Sequence, residues 1–240
     1  MKPSSVNNSS SVVGDNVAVI DALSIDNVIF GLSGGRLNVL LVRQKDPRHS
    51  GKWALPGGWI RYDEDLRGAA KRLLEELTGV AGVYLEQLKT FGRVDRYPDR
   101  RVITVAYYAL VSASGYALVT NQDGVEWRHV DEVEDLVFDH LEIFNFALKH
   151  LRRAVRYRPV GFELLPQAFS LLQLQHMYES ILDMPLDKGN FRRKVLKSGL
   201  LVPSERKQTG VAHRAATLYE LDQGVYEQLV DDGFPVQSLV

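Results

Sequence analysis

Cysteine is absent from the 240 residues of this chain, and its absence excludes several kinds of chemistry. The protein has no disulfide bridge, no thiolate metal site and no cysteine nucleophile. A chain without cysteine suits a reducing compartment, so a cytoplasmic location is the default expectation.

Long apolar runs and a strong charge of one sign are lacking as well. No apolar stretch approaches the roughly 18 residues of a membrane-spanning helix, and the N-terminus lacks the basic and then apolar layout of a secretion signal. We therefore expect no membrane partner. The net charge of −1 argues against a uniformly basic or acidic surface, although it leaves room for opposite local charges.

The N-terminal part of the chain has the pattern of an α/β domain. Residues 1–16 are rich in serine and asparagine without periodicity, and we expect a disordered leader there. Short runs of valine, isoleucine and leucine then predict strands at residues 17–20, 27–32, 37–43, 84–93, 101–112 and 124–130. A helical apolar repeat at residues 139–157 leads to Pro159. We predict an α/β/α sandwich over residues 17–158.

Residues 159–240 follow a different pattern. A capping box at Ser170 opens one predicted helix, and Asp187 caps a second that ends near Gly199. Two short strands around a polar loop are expected within residues 200–219. Helices followed by a hairpin predict a winged helix-turn-helix domain.

The most specific pattern lies between Gly58 and Val80, in the stretch GWIRYDEDLRGAAKRLLEELTGV. It resembles the Nudix box, a loop, helix and loop in which glycine, glutamate, arginine and clustered glutamates recur at fixed spacing. The matching positions are Gly58, Glu64, Arg72, Leu74, Glu76, Gly79 and Val80. Leu73 and Leu77 stand where the box has two of its clustered glutamates.

These two leucines remove most of a metal site. Residues 73, 76 and 77 lie on one face of a helix because they are three and four residues apart. Mg²⁺ needs oxygen ligands, and Glu76 alone gives a weak site. The resemblance then implies a domain that holds a nucleotide without hydrolysing it, with no catalytic residue, no metal and no required cofactor. For each leucine alone, packing in an apolar helical stripe is an equally good explanation.

An arginine-rich segment, FGRVDRYPDRR at residues 91–101, follows the box and precedes a strand. Guanidinium groups bind diphosphates in bidentate fashion, so the segment is a candidate pocket wall, with an exposed charged loop as the alternative. The predicted ligand-binding residues are Arg43, Gly57, Gly58, Arg61, Phe91, Arg93, Arg96 and Arg101. Candidate stacking surfaces for adenine, each otherwise a core aromatic, are Trp53, Phe91 and Tyr108.

The helix that Asp187 caps is predicted to have a basic face and an apolar back. The face comprises Asn190, Arg193, Lys194 and Lys197. The back comprises Phe191, Val195 and Leu196, with Arg192 bracing the domain on the same side. Arginine and lysine read guanine in the major groove and asparagine reads adenine, so this face suits duplex DNA.

The hairpin adds four predicted DNA contacts, Arg206, Lys207, His213 and Arg214. Residues 187–219 thereby hold eight Lys or Arg against two acidic residues, a balance that favours binding to phosphates. The alternatives are a solvated basic surface and an RNA-binding module, because basic winged helices also bind RNA.

A degenerate Nudix domain followed by a winged helix resembles the NrtR family, the Nudix-related transcriptional regulators of NAD metabolism. The resemblance rests on the box, on residues 91–101, which are similar to those of ADP-ribose pyrophosphatases, and on residues 187–200. It implies a homodimer that binds a palindromic operator, represses genes of NAD synthesis or salvage, and is released by ADP-ribose as effector. The rival expectation is an active ADP-ribose pyrophosphatase with an accessory nucleic-acid-binding domain.

Overall fold

A mixed β-sheet forms the centre of the N-terminal domain in the computed structural model of the protein. The structure describes residues 20, 22–44, 49–112, 124–207 and 216–231. The strands of this sheet are β1 (Leu23–Ser33), β2 (Arg36–Arg43), β3 (Trp53–Ala54), β4 (Gly57–Trp59), β5 (Glu86–Phe91), β6 (Ile103–Ser112) and β7 (Val125–His129). The paired order is β3-β2-β1-β6-β5, with β4 paired to β1 and β7 paired to β2. Strands β1 and β6 are parallel, whereas the other pairs are antiparallel.

Two helices cover the opposite faces of the sheet. Helix α1 (Leu66–Thr78) buries Leu74 and its neighbours against one face, in a cluster with Ile25 and Ile29 of β1. Helix α2 (His140–Tyr157) packs on the other face, where Val28 and Phe30 point because successive strand residues face opposite ways. The predicted α/β/α sandwich is therefore confirmed.

The ends of α1 follow from its flanking residues. The side chain of Asp65 accepts a hydrogen bond from the backbone N–H of Gly68 at 2.6 Å, which caps the first turn. Gly79 ends the helix with a φ of 77°, a left-handed conformation that glycine adopts without strain. The box is therefore a loop, a helix and a loop, as its sequence predicts.

The strand predictions differ from the structure mainly at their ends. The predicted strand at residues 84–93 is observed only at Glu86–Phe91, and the one at residues 101–112 begins at Ile103. The short strands β3 and β4 were not predicted, because two or three residues carry no periodicity. The predicted leader and nearly all of the predicted strand at residues 17–20 fall outside the described residues.

The C-terminal domain has the winged helix-turn-helix pattern. Its elements are β8 (Phe169–Ser170), α3 (Leu171–Leu182), α4 (Lys188–Lys197), β9 (Leu201–Lys207), β10 (Thr217–Leu221) and α5 (Gln223–Asp231). The predicted capping box is present, since Ser170 and Gln173 satisfy each other's backbone N–H groups at the start of α3. Strands β8, β10 and β9 form an antiparallel sheet in that order. Helix α5 was not predicted.

One buried apolar cluster joins the two domains. It includes Ala147 and Leu151 of α2, Met177 and Tyr178 of α3, and Phe191 of α4. Helix α2 thus packs on the sheet of the first domain and on the helices of the second. Among the described residues, no helix has the length and apolar character that crossing a bilayer requires.

Candidate functional site

A cavity of about 830 Å³ lies beside the glycine pair Gly57 and Gly58 of β4. Its walls come from β1, β2, the C-terminal end of α1, the segment between β5 and β6, and the start of α2. Such a volume suits a small organic ligand. The cavity is therefore the candidate ligand site.

Close packing against the backbone of β1 requires glycine at residue 57. A Cβ atom on Gly57 would lie 2.3 Å from the carbonyl oxygen of Ile25, and one on Gly58 would lie 2.9 Å from Cδ2 of Leu73. Strand β4 thus passes between β1 and α1 with no room for a side chain at residue 57. This close passage shapes the wall of the cavity.

A buried ionic cluster lies at the cavity wall. The Arg96 guanidinium donates to both carboxylate oxygens of Asp139, at 2.8 and 2.7 Å, and to Asp26 at 3.2 Å. Nδ1 of His140 accepts from the backbone N–H of Leu55 at 3.0 Å, and its Nε2 lies 3.3 Å from Oδ1 of Asp26. Since Nδ1 is an acceptor, the ring proton belongs on Nε2, directed at Asp26. The cluster fixes the start of α2 to β1.

The surviving carboxylates of the box are bound by arginines. Glu64 accepts from Nε and Nη2 of Arg72, at 2.7 and 2.5 Å, and from the backbone N–H of Arg61 at 2.7 Å. The hydrogen bond from Arg72 is the main reason that the pKa of Glu64 falls to about 2. Glu76 accepts from Arg72 at 3.1 Å and from the Arg61 side chain at 3.5 Å.

The two box leucines have different surroundings. Leu73 is 7% exposed and packs in the core between α1 and the sheet, whereas Leu77 is partly buried and lines the cavity. Within the described residues, no group of three His, Cys, Asp or Glu side chains is arranged to hold a metal ion. The side chains of Leu73 and Leu77 offer no oxygen atom to a divalent metal ion.

Aromatic rings form another part of the cavity wall. The ring centroids of Trp59 and Tyr97 are 5.9 Å apart, and those of Tyr97 and Phe138 are 4.8 Å apart. All three residues line the cavity. Phe138 has a φ of 54°, an uncommon value for a residue with a bulky side chain. Strain of this kind often accompanies functional sites, and here it precedes the ionic cluster directly.

Helix α4 presents charged residues to solvent in the second domain. Its N-cap is Asp187, whose side chain accepts from the backbone N–H of Asn190 at 2.7 Å. Oδ1 of Asn190 accepts from Nη2 of Arg193 at 2.8 Å, so these two exposed side chains are held together. Strands β9 and β10 form the wing of this domain, and there Arg206 donates a hydrogen bond to Oε1 of Gln167 at 3.0 Å.

Comparison with known proteins identifies both domains. A NUDIX domain model matches residues 23–147, and a model of the NrtR DNA-binding winged helix domain matches residues 161–221. A protein of Acinetobacter baylyi named ADPR responsive transcriptional repressor NtrR is 34% identical over 203 residues, which are 82% of this chain and 80% of that protein. The chain belongs to the NrtR family.

Solved structures of the NrtR family agree with this fold. Shewanella oneidensis NrtR complexed with a 27mer DNA is 33% identical, with a TM-score of 0.77, and covers 85% of this chain and 95% of its own. The Nudix domain of the same protein complexed with ADP ribose is 34% identical, with a TM-score of 0.51, and covers 55% of this chain and 90% of its own. The predicted family and domain architecture are confirmed.

In this member of the NrtR family, the predicted ligand-binding residues fall into two groups. Arg43, Gly57, Gly58 and Arg96 line the cavity. The other four lie outside its lining. Arg61 pairs with Glu76, and Phe91 is buried against Phe146. Arg93 pairs with Asp95 and Glu142, and Arg101 donates a hydrogen bond to the carbonyl oxygen of Arg93. The whole set remains a prediction.

Several cavity residues of this NrtR-family chain were not predicted. They are Asp26, Trp59, Tyr97, Phe138 and His140. Asp26 lies in β1, directly before the predicted strand at residues 27–32, and its carboxylate beside a mostly apolar run is the signal that could have revealed it. No local pattern points to the aromatic residues, because the fold brings them together from separate segments of the chain. Of the predicted stacking residues, Phe91 and Tyr108 are buried outside the lining, and Trp53 lies beneath Arg43 at 4.5 Å.

Two predictions about α4 of this NrtR-family domain are wrong. Phe191 and Val195 are buried as expected, but Leu196 is 49% exposed and Arg192 is exposed as well. Leu196 follows Val195 by about 100° around the helix, which turns it away from the core. Of the predicted DNA contacts, which stay a prediction, Asn190, Arg193, Lys194, Lys197 and Arg206 are exposed or partly exposed. Lys207 ends β9, and His213 and Arg214 lie outside the described residues.

Proposed function

We propose that this protein is a transcriptional repressor that binds operator DNA through its winged helix and is released when ADP-ribose occupies the Nudix cavity. The observation that carries the proposal is a ligand-sized cavity beside a Nudix box whose remaining carboxylates, Glu64 and Glu76, pair with Arg72. The same chain continues into a basic winged helix domain. The regulated genes are those of NAD synthesis or salvage, as for the family.

The Nudix domain binds its ligand without cutting it. Hydrolysis of a pyrophosphate by this fold needs metal ions to activate water and to neutralise charge. Leu73 and Leu77 supply no oxygen ligands, and Glu64 and Glu76 are already hydrogen bonded to Arg72. Glu76, the one clustered glutamate that remains on this face of α1, gives a weak metal site alone.

ADP-ribose fits the chemistry of the cavity wall. Arg43 lines the cavity and carries a guanidinium suited to a diphosphate. Trp59, Tyr97 and Phe138 offer ring faces on which a purine base can stack. The Nudix domain of Shewanella oneidensis NrtR was crystallised with ADP ribose, which supports this choice of ligand.

Helix α4 supplies the surface for DNA. A winged helix places its second helix in the major groove and its hairpin on the flanking backbone. Exposed Asn190, Arg193 and Lys197 suit base edges and phosphates. A homodimer would present two such helices to a palindromic operator, one for each half-site.

Helix α2 connects the two sites. Asp139 and His140 stand at its N-terminal end within the ionic cluster of the cavity, and Leu151 further along packs in the cluster shared with α3 and α4. A ligand that shifts the start of α2 therefore changes the position of the winged helix. Coupling of this type is typically about 1 to 3 kcal/mol and is reciprocal, so operator DNA weakens ADP-ribose binding by the same factor.

The test combines a gel shift with calorimetry. The full chain is first used to select a duplex from a random library, and binding of that duplex is measured with and without ADP-ribose. We expect ADP-ribose to weaken DNA binding, and calorimetry to find weaker ADP-ribose binding in the presence of the duplex. Equal affinities in both experiments would refute the coupling.

A second measurement separates the repressor from an ADP-ribose pyrophosphatase. ADP-ribose is incubated with the protein and Mg²⁺ or Mn²⁺, and AMP is quantified. We expect no AMP above the level without protein. Many turnovers per protein molecule would instead establish hydrolysis.

A further inference from the structure

The outward side of α4 includes Leu196, which the sequence analysis placed on the apolar back of the helix. Phe191 and Val195 are buried, so the opposite side of the helix faces solvent. Gly189, Arg192, Arg193 and Leu196 form one row on the exposed surface, because they are spaced by three, four and seven residues. All four are exposed, and we call them the outward stripe. Asn190 and Lys197 of the predicted basic face are exposed beside this row.

Leu196 is the apolar member of the outward stripe. Single exposed leucines are ordinary on protein surfaces and by themselves carry no meaning. This leucine, with 49% of its surface exposed, instead has Arg192 and Arg193 one turn before it and Lys197 directly after it. Its cationic surroundings make the stripe complementary to the polyanionic backbone of DNA.

We propose that Leu196 recognises a thymine of the operator by packing against the C5 methyl group of that base. The proposal rests on the proposed DNA-binding function. In the major groove, thymine is distinguished by its O4 acceptor and its methyl group, and apolar side chains contact that methyl group. Leu196 thereby contributes sequence discrimination of a kind that arginine, lysine and asparagine do not provide.

The position of Leu196 along the helix is compatible with this contact. Side chains on a helix lean towards its N-terminus, so Leu196 covers the turn that contains Arg192 and Arg193. From Gly189 to Leu196 the helix rises about 10 Å, at roughly 1.5 Å per residue, and the major groove is about 12 Å wide. The outward stripe therefore fits within one groove.

Gly189 supports the same orientation. A Cβ atom there would meet Oδ1 of Asp187 at 3.6 Å, which is an ordinary contact, so the glycine is not required by packing. Its φ is not in the left-handed region either. A residue without a side chain at the start of the outward stripe lets the helix backbone approach the DNA closely.

The experiment removes the methyl group from the DNA and the side chain from the protein. In the duplex selected by the full chain, each thymine is replaced in turn by deoxyuridine, symmetrically in both half-sites. Dissociation constants are measured by fluorescence anisotropy for the unaltered protein, for Leu196→Ala and for the control Leu66→Ala. Leu66 is also an exposed helical leucine, at 37%, but it begins α1. Thermal melting verifies that each variant is folded.

We expect one thymine position at which uracil weakens binding of the unaltered protein by about fourfold per half-site, the factor of one buried methyl group. In Leu196→Ala the same replacement should have almost no effect, whereas Leu66→Ala should keep it. If uracil has no effect at any position, or the same effect in Leu196→Ala, the proposal is wrong although the protein binds DNA. If the chain selects no duplex at all, the proposed function fails with it.

Discussion

The Nε atom of Arg152 on α2 donates a hydrogen bond to the backbone carbonyl of Ile181 on α3, at 2.9 Å. The same guanidinium lies 3.8 Å from Asp183 and 4.0 Å from Asp131. One side chain thus links the helix that begins at the ligand cavity to the helix that supports α4. Ile181 lies in the last turn of α3, where carbonyl groups have no partner within the helix.

Replacing Arg152 should weaken the communication between ligand and DNA. We expect Arg152→Ala to retain binding of ADP-ribose and of DNA separately, because Arg152 contacts neither site. The ratio of DNA dissociation constants with and without ADP-ribose should fall towards one. The matched control is Arg153→Ala, an exposed neighbour on the same helix, which should keep the ratio. An unchanged ratio in Arg152→Ala would show that another contact carries the coupling.

Arg96 should be important for stability. Its side chain is 4% exposed between Asp26 and Asp139, which are 6% and 3% exposed. Removing one partner from a buried ionic cluster typically costs about 3 to 5 kcal/mol, because charge remains buried without compensation. We expect Arg96→Ala to lower the free energy of unfolding in urea by that amount. Arg93→Ala, with a side chain that is 62% exposed, should change it by less than about 1 kcal/mol.

Glu64 should stabilise the fold in a pH-dependent manner. Its pKa is lowered from 4.5 to about 2 in the folded protein, mainly by the hydrogen bond from Arg72. A depressed folded pKa means that the stabilisation is fully present above about pH 4.5 and is lost as the pH falls towards 2. We expect Glu64→Gln to lower the urea midpoint at pH 6, and the difference from the unaltered protein to shrink below pH 4. A constant difference across this range would contradict the assignment.

Tyr178 is a residue whose replacement should not lower the free energy of unfolding. It is fully buried, and within the described residues its hydroxyl has no hydrogen-bond partner. Burial raises the pKa of this hydroxyl. A buried hydroxyl without a partner costs about 1 to 3 kcal/mol of desolvation. We expect Tyr178→Phe to leave the unfolding free energy unchanged or raise it by about 1 kcal/mol, whereas Tyr108→Phe, which loses a 2.9 Å bond to Glu86, should lower it.

Features set by neighbouring residues could be predicted from the sequence. Helix caps are an example, because the predicted caps Ser170 and Asp187 each accept a hydrogen bond from a backbone N–H three residues ahead. The β1–β2 hairpin is another, since Gly34 and Gly35 adopt positive φ values in the turn between two apolar runs. The spacing of the Nudix box likewise predicts the position of α1, because the positions of the box lie close together in the chain.

Features set by tertiary contacts could not be predicted. Arg96 belongs to an arginine-rich segment whose other arginines are exposed or partly exposed, and only the fold places it between two aspartates. Asp26 and His140 are far apart in the chain and meet at the cavity. Leu196 was assigned to the core by its apolar character, but side-chain type alone does not determine burial.

The stacking of arginines on Trp53 has an optical consequence. The guanidiniums of Arg43 and Arg128 lie over its ring, at 4.5 and 4.7 Å from the centroid, and Arg43 also lines the cavity. Indole emission depends on nearby charge, so a diphosphate that draws Arg43 away should change the fluorescence of Trp53. Of the three tryptophans, Trp59 lines the cavity directly, whereas Trp53 and Trp127 do not. The protein should therefore report occupancy of its cavity through its own fluorescence, without an added label.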